Sequence, residues 1–165
     1  PFGSFRRDLF FEIGGFDESL LANEDYEFNV RIRKHGGKIW FDPTIRCVYF
    51  ARKDLKELAK QYWRYGFWKY KMLKRYPSTL RWRQALPPTF VLANVLCLFL
   101  SPLFKEIAII YLSVLVLYVL ALLLSGVREA IRMKKPEMIV FLPAAIMTMH
   151  FAWGAGFLIS ALTKK

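Results

Sequence analysis

The chain has 165 residues, of which 55% are hydrophobic, and it carries a formal net charge of +12. So much apolar surface exceeds what a small soluble core consumes, which excludes a wholly water-soluble domain and requires part of the chain to face lipid. Its two cysteines, Cys47 and Cys97, are far apart and lack ligand spacing, so neither a disulfide framework nor a zinc site is indicated.

The chain opens on Pro1 rather than Met and enters a dense motif at once, so it is expected to be a carboxy-terminal fragment. Arg6 to Ile13 predicts a short helix stopped by Gly14 and Gly15, which permit the left-handed backbone of a helix end. A sharp turn then presents Phe16, Asp17 and Glu18. Asn23 is placed to cap a second helix that runs to His35, with Glu24, Asp25 and Glu27 in its first turn and Gly36-Gly37 behind it. Acids favour the positive end of a helix, so these three carboxylates have an ordinary structural reading as well as a chemical one. Lys38 to Phe41 and Thr44 to Phe50 predict two short strands around an Asp42-Pro43 turn.

From Asp54 to Tyr76 the apolar residues Leu55, Leu58, Ala59, Tyr62, Tyr65 and Gly66 recur at helical spacing against Lys53, Lys56, Lys60 and Arg64. With Trp63, Phe67, Trp68 and Tyr70 this predicts an aromatic, basic helix lying in a membrane interface. Residues 51–84 hold 11 basic residues against two acids, which suits an anionic leaflet. Nucleic acid is the other polyanion such a pattern can bind, but the long apolar runs that follow argue against it.

Three uncharged or nearly uncharged runs follow: Ala85 to Phe104, Ile107 to Ser125 and Met138 to Thr163. Each is long enough to cross a bilayer at ~1.5 Å rise per residue. The loop from Gly126 to Glu137 carries Arg128, Arg132, Lys134 and Lys135, so the positive-inside rule places it in the cytoplasm. Two crossings separate it from residues 1–84, which are then cytoplasmic too, and the terminal Lys164 and Lys165 are expected outside. His150 inside the third run shares a helical side with Trp153, Gly154 and Phe157, and Ala152 with Gly156 forms a small-xxx-small pair that favours helix packing. The resulting division is 1–52, 53–84 as a basic aromatic interfacial region, and 85–165 as the transmembrane region.

The stretch GSFRRDLFFEIGGFDESLLANEDYEFNVRIRKHGGKIWFDP resembles the acceptor half of a family-2 inverting glycosyltransferase. The segment YFARKDLKELAKQYWRYGFWKYKMLKRYP and the spans ending in HFAWGAGFL extend the resemblance to the membrane-anchored subgroup that builds bacterial exopolysaccharides such as succinoglycan. The resemblance implies an α/β fold, as part of a nucleotide-diphospho-sugar transferase domain, ahead of the interfacial helix and about three transmembrane helices. It implies sugar transfer with inversion from a nucleotide-sugar donor to a lipid-linked or polysaccharide acceptor, at the cytoplasmic face of a bacterial inner membrane. Asp25 matches the general base, and Glu24 its acidic neighbour. Gly14, Gly15, Phe16 and Asp17 match the turn lining the acceptor pocket. Gln61, Arg64 and Tyr65 resemble the Gln-x-x-Arg-Trp motif, with Tyr in place of Trp, for diphosphate and acceptor contacts. Tyr49 stands where many relatives place a histidine. A divalent cation, Mg²⁺ or Mn²⁺, is expected to be held by an amino-terminal half that this chain lacks, and no metal site is assigned here. Without that half the fragment is expected to be inactive alone. The competing reading is a noncatalytic membrane adaptor that binds anionic lipid through its basic aromatic helix.

Overall fold

The computed structural model describes residues 3–163. Among them are six α-helices and one short 3₁₀ turn: α1 Arg7–Glu12, α2 Glu24–Lys34, α3 Leu55–Arg75, the 3₁₀ turn Pro77–Thr79, α4 Trp82–Leu100, α5 Lys105–Met133 and α6 Met138–Leu162. No strand is present among the described residues, so the expected α/β fold is not what this chain adopts. The alternating segment 38–50 is extended but unpaired. Trp40 is 89% exposed, and Phe41, Ile45, Val48 and Phe50 are exposed with it. Side-chain contacts within it are local, Asp42 accepting the Thr44 N–H at 2.9 Å, and its Tyr49 hydroxyl lies 3.5 Å from the Gln61 amide of α3. A strand needs a neighbour to take its backbone hydrogen bonds, and no described segment runs beside this one.

The amino-terminal helices meet in a small aromatic core. Ile13, Phe28 and Ile32 are buried there, with Phe5, Leu9 and Phe10 packed against them. Phe5 and Phe16 both meet Phe28 edge to face, with ring centres 4.9 and 5.1 Å apart. The chain leaves α1 through Gly14 and Gly15, whose φ values of +88° and +68° are ones that side chains resist. A buried ion pair fastens this turn to α2. Glu27, only 2% exposed, receives both Nε and Nη2 of Arg31 at 2.7 and 2.8 Å and the Tyr76 hydroxyl at 2.9 Å. Arg31 in turn donates to the Ile13 and Gly15 carbonyls. Two residues of the predicted second helix thus hold the glycine turn in place.

Asp54 caps α3 by accepting the Glu57 N–H at 2.8 Å, and Tyr76-Pro77 ends it. α4, α5 and α6 are each long and apolar enough to cross a membrane. α4 starts three residues before the expected Ala85, so Pro87 and Pro88 fall beyond its first turn. α5 runs on to Met133, past the apolar window, because Val127 to Arg132 sustain helical hydrogen bonding and Arg132 pairs with Glu129 at 2.9 Å. Lys134, left-handed at φ +56°, then turns the chain.

α6 is the hub, contacting α3, α4 and α5, and its most extensive partner is α3. Glycines set these approaches. A Cβ on Gly66 would overlap the Trp153 carbonyl, one on Gly156 the Trp63 carbonyl, and one on Gly154 the Pro87 carbonyl. Tyr70 adds an edge-to-face contact with Phe157 at 5.2 Å. The basic aromatic helix is therefore built onto the apolar bundle. Within that bundle the Tyr111 hydroxyl donates to Asn94 at 3.2 Å, and Tyr118 pairs with His150 Nδ1 at 3.0 Å. His150 thus serves helix packing.

Candidate active site

Where α2, α3 and α6 meet, a cavity of about 910 Å³ opens. Five of the residues singled out in the sequence line it: Glu24 and Asp25 from the start of α2, and Gln61, Arg64 and Tyr65 from α3. They are brought together by the turn at Asn23, which sits at φ +66°, a left-handed value that asparagine tolerates better than most residues. The expected cap is absent in its usual form. The Asn23 side chain accepts no helix N–H and instead donates to the Tyr65 carbonyl at 3.4 Å, tying α2 to α3.

Asp25 is half-buried and Glu24 exposed, so both carboxylates are reachable from the cavity. Asp25 Oδ1 accepts the Tyr26 N–H at 2.7 Å, leaving its other oxygen without a protein partner among the described residues. Gln61 organises the opposite wall. Its amide donates to the Tyr65 hydroxyl at 2.8 Å and its oxygen accepts Arg52 Nε at 2.9 Å, with the Tyr49 hydroxyl at 3.5 Å. Arg64 donates to the Leu21 carbonyl, which anchors its guanidinium at the rim. One wall thus offers a carboxylate that can take a proton, and the other offers cations, a phenol and an amide.

Gly14, Gly15, Phe16 and Asp17 do not line this cavity. Arg31 holds the carbonyls of Ile13 and Gly15 on either side of Gly14, Phe16 packs on Phe10 and Phe28, and Asp17 faces Arg75. Ser19 is the main reason the Asp17 carboxyl lies below the usual carboxylate range: its hydroxyl and N–H both donate to Oδ1, at 2.6 and 2.9 Å, and Arg75 lowers it further. Geometry makes these four the scaffold behind the site.

The sequence reading missed four contributors. Arg52, Lys69, Gln84 and Trp153 also line the cavity. Lys69 had a legible signal, since it falls one helical turn beyond Tyr65 and two beyond Gln61. Trp153 had none, because it arrives from an apolar helix far along the chain. Burial pushes the Lys69 ammonium down to about 8, with Arg81 adding repulsion. As for metal, no group of three His, Cys, Asp or Glu side chains that could hold an ion exists among the described residues.

A reachable carboxylate thus faces a basic, hydrogen-bonding wall, on a fold that ends in three helices long and apolar enough to cross a membrane. The chain belongs to Glycosyl transferase family 21, whose pattern matches residues 3–163. The family number differs from the family 2 that the motifs resemble, while the class, glycosyltransferase, is the same. Among curated proteins the chain is 33% identical over 152 residues to the "Succinoglycan biosynthesis protein ExoA" of Rhizobium meliloti (strain 1021), covering 92% of this chain and 44% of that protein. It is 27% identical over 143 residues to a "Dolichyl N-acetyl-alpha-D-glucosaminyl phosphate 3-beta-D-2,3-diacetamido-2,3-dideoxy-beta-D-glucuronosyltransferase" of Methanococcus voltae, covering 86% of this chain and 40% of that protein. The chain thus spans less than half the length of either relative. No solved structure matches it.

Proposed function

We propose that this chain supplies the acceptor side of a glycosyltransferase that moves a sugar, with inversion, from a nucleotide-sugar donor to a lipid-linked or growing glycan acceptor at the cytoplasmic membrane face. The observation that carries this reading is the convergence of Glu24 and Asp25 with Gln61, Arg64 and Tyr65 on one cavity, although the two groups lie on different helices. Apolar helices pack directly against that cavity, and Trp153 of α6 forms part of its wall. The two relatives' names speak of succinoglycan synthesis and of a dolichyl-linked sugar phosphate, which supports a glycan or lipid-linked acceptor here.

In this reading the Asp25 carboxylate takes the proton of the acceptor hydroxyl. The freed oxygen forms a bond to the anomeric carbon while the bond from that carbon to the diphosphate breaks, and its electron pair leaves with the diphosphate. Positioned general bases contribute about 10² to 10⁴ in rate. Arg64, held at the rim by Leu21, stabilises the departing charge, and Tyr65, fixed by Gln61, offers a ring to an acceptor sugar. A divalent cation, where the reaction uses one, is held outside the residues described here. No role in nucleic-acid binding is proposed, and the basic face of α3 suits an anionic leaflet.

Asp25→Asn in the intact protein tests the reading. Asparagine keeps the Tyr26 N–H contact but cannot take a proton, so transfer should fall by at least about 10² while the melting temperature moves little. Wild-type turnover by this variant would overturn the mechanism and favour the adaptor.

A further inference from the structure

Lys69 is 3% exposed, yet it lines the same cavity as Glu24, Asp25 and Arg64. The other cations of that cavity have oxygen partners. Lys60 binds Glu57 at 2.7 Å, Arg52 binds Gln61 at 2.9 Å, and Arg64 donates to the Leu21 carbonyl. Lys69 has no oxygen partner among the described residues. Its Nζ lies 3.9 Å from the centre of the Tyr26 ring and 4.0 Å from Met72 Sδ. An ammonium withdrawn from water without an anion is costly, and an aromatic face returns only part of that cost. Such a cation on the wall of an open cavity stabilises whatever anion enters.

We propose that Lys69 is a phosphate-binding residue of this site, holding either the phosphate of a lipid-linked acceptor or the diphosphate that leaves the donor. The proposal rests on the glycosyl-transfer reading, and it assigns Lys69 charge-assisted hydrogen bonds rather than proton transfer. Tyr26, one residue after Asp25, sets the position of the ammonium. A phosphate bound here therefore shares the cavity with the carboxylate that takes the acceptor proton. The groups facing Lys69 are Tyr26 from α2, Met72 on α3 and Arg81 ahead of α4, with Glu24, Asp25, Glu57, Lys60 and Arg64 around the cavity. Burial and then Arg81 bring Lys69 down to about 8, so its charged fraction falls as pH rises from 7.5 to 9.5. The sign is definite: the protonated form binds the anion, so affinity falls as pH rises through this range.

The test is equilibrium binding, without turnover, to the intact protein in lipid nanodiscs. Farnesyl phosphate and uridine diphosphate serve as probes, with farnesol as the uncharged control, at pH 7.5 and 9.5. Lys69→Met should weaken one or both phosphates about tenfold or more, as expected for loss of a hydrogen bond to a charged group. Lys69→Arg should stay within about threefold of wild type, and farnesol should be indifferent to both changes. Loss confined to farnesyl phosphate assigns the site to the acceptor, and loss confined to uridine diphosphate assigns it to the leaving group. If Lys69→Met does not fold, Lys69→Gln is read in its place with the same loss expected, and equal affinities for Lys69→Gln and wild type overturn the proposal. Equal affinities for wild type and Lys69→Met overturn the proposal. If Asp25→Asn retains full transfer while phosphate binding still depends on Lys69, the general-base reading fails and the phosphate site stands. The reverse pair of results removes only the phosphate site.

Discussion

Glu27 stands two residues from Asp25 and carries the same charge, yet the structure gives it an entirely different task. It is 2% exposed and holds the Arg31 guanidinium through two hydrogen bonds and the Tyr76 hydroxyl through a third. Arg31 is part-buried, with 18% of its side chain exposed, and its own pKa is raised, chiefly by the Glu27 hydrogen bonds. Glu27→Gln keeps the shape but removes the anion, leaving Arg31 charged in a poorly solvated place. Breaking a buried pair from one side costs about 3–5 kcal/mol, and the amide oxygen, which still accepts one bond, brings this nearer ~3 kcal/mol. Since Arg31 also clamps the Ile13 and Gly15 carbonyls, the loss should loosen the glycine turn behind the site. Thermal melts and hydrogen exchange on the intact protein measure it. Protection should fall first at Gly14, Gly15 and the end of α2, and transfer should decline only as far as the folded fraction does. A Glu27→Gln protein that melts like wild type but transfers sugar a hundredfold more slowly would refute this reasoning and make Glu27 the base.

Gly66→Ala puts a methyl into the Trp153 carbonyl, and it should cost about 1–3 kcal/mol and separate α3 from α6, read as a lower melting temperature and a changed Trp fluorescence. Gly126→Ala, where the added carbon comes only to 3.0 Å from the Met138 and Ile139 carbonyls, should cost less. Arg64→Ala and Tyr65→Ala should lower turnover in the intact protein with membrane insertion unchanged, measured by transfer assay and membrane fractionation. Near-normal rates would make both residues part of an ordinary surface helix.

The helices were legible because their signals are local. Apolar runs of membrane length, glycines after Ile13 and His35, and acids at the start of α2 each act within a few residues of where they stand. Local signals could not say whether 38–50 pairs with anything, since alternation describes a face and a sheet needs a neighbour. They also could not separate Glu27 from Asp25. Both are first-turn acids by spacing, and only the fold shows that one faces Arg31 and the other the cavity. Trp153 as part of the cavity wall was out of reach for the same reason. The Ala152 and Gly156 pair signalled helix packing without naming its partner, and Gly66 looks like an ordinary small residue until the helix that needs its gap is in place.

The same α6 contacts bear on how the chain sits in a bilayer. From Met138, just after the basic loop, to Trp153 at the cavity, α6 covers about 22 Å at ~1.5 Å per residue. Were α6 upright in a core about 30 Å thick, the cavity would lie most of the way across the membrane from that loop. It would carry α3 with it, and Lys56, Lys60, Arg64, Lys71 and Lys74 each cost about 2.5–3.5 kcal/mol at the centre of a bilayer. The charge of the loop and the charge of α3 both favour the cytoplasmic face. The two are compatible if α6 runs at a shallow angle beneath α3, leaving α4 and α5 as the full crossings. The end of α6 then emerges on the cytoplasmic side. This arrangement and the outside carboxy terminus expected from three full crossings differ in what labelling should show. With Cys47 and Cys97 changed to serine, single cysteines at Lys56, Leu103, Lys134 and Leu162 can be labelled in intact cells by a membrane-impermeant maleimide. Only Leu103, between α4 and α5, should react before permeabilisation. Reaction at Leu162 with Lys56 and Lys134 still protected would restore three full crossings and require α3 to reach Trp153 by a path other than the cytoplasmic surface.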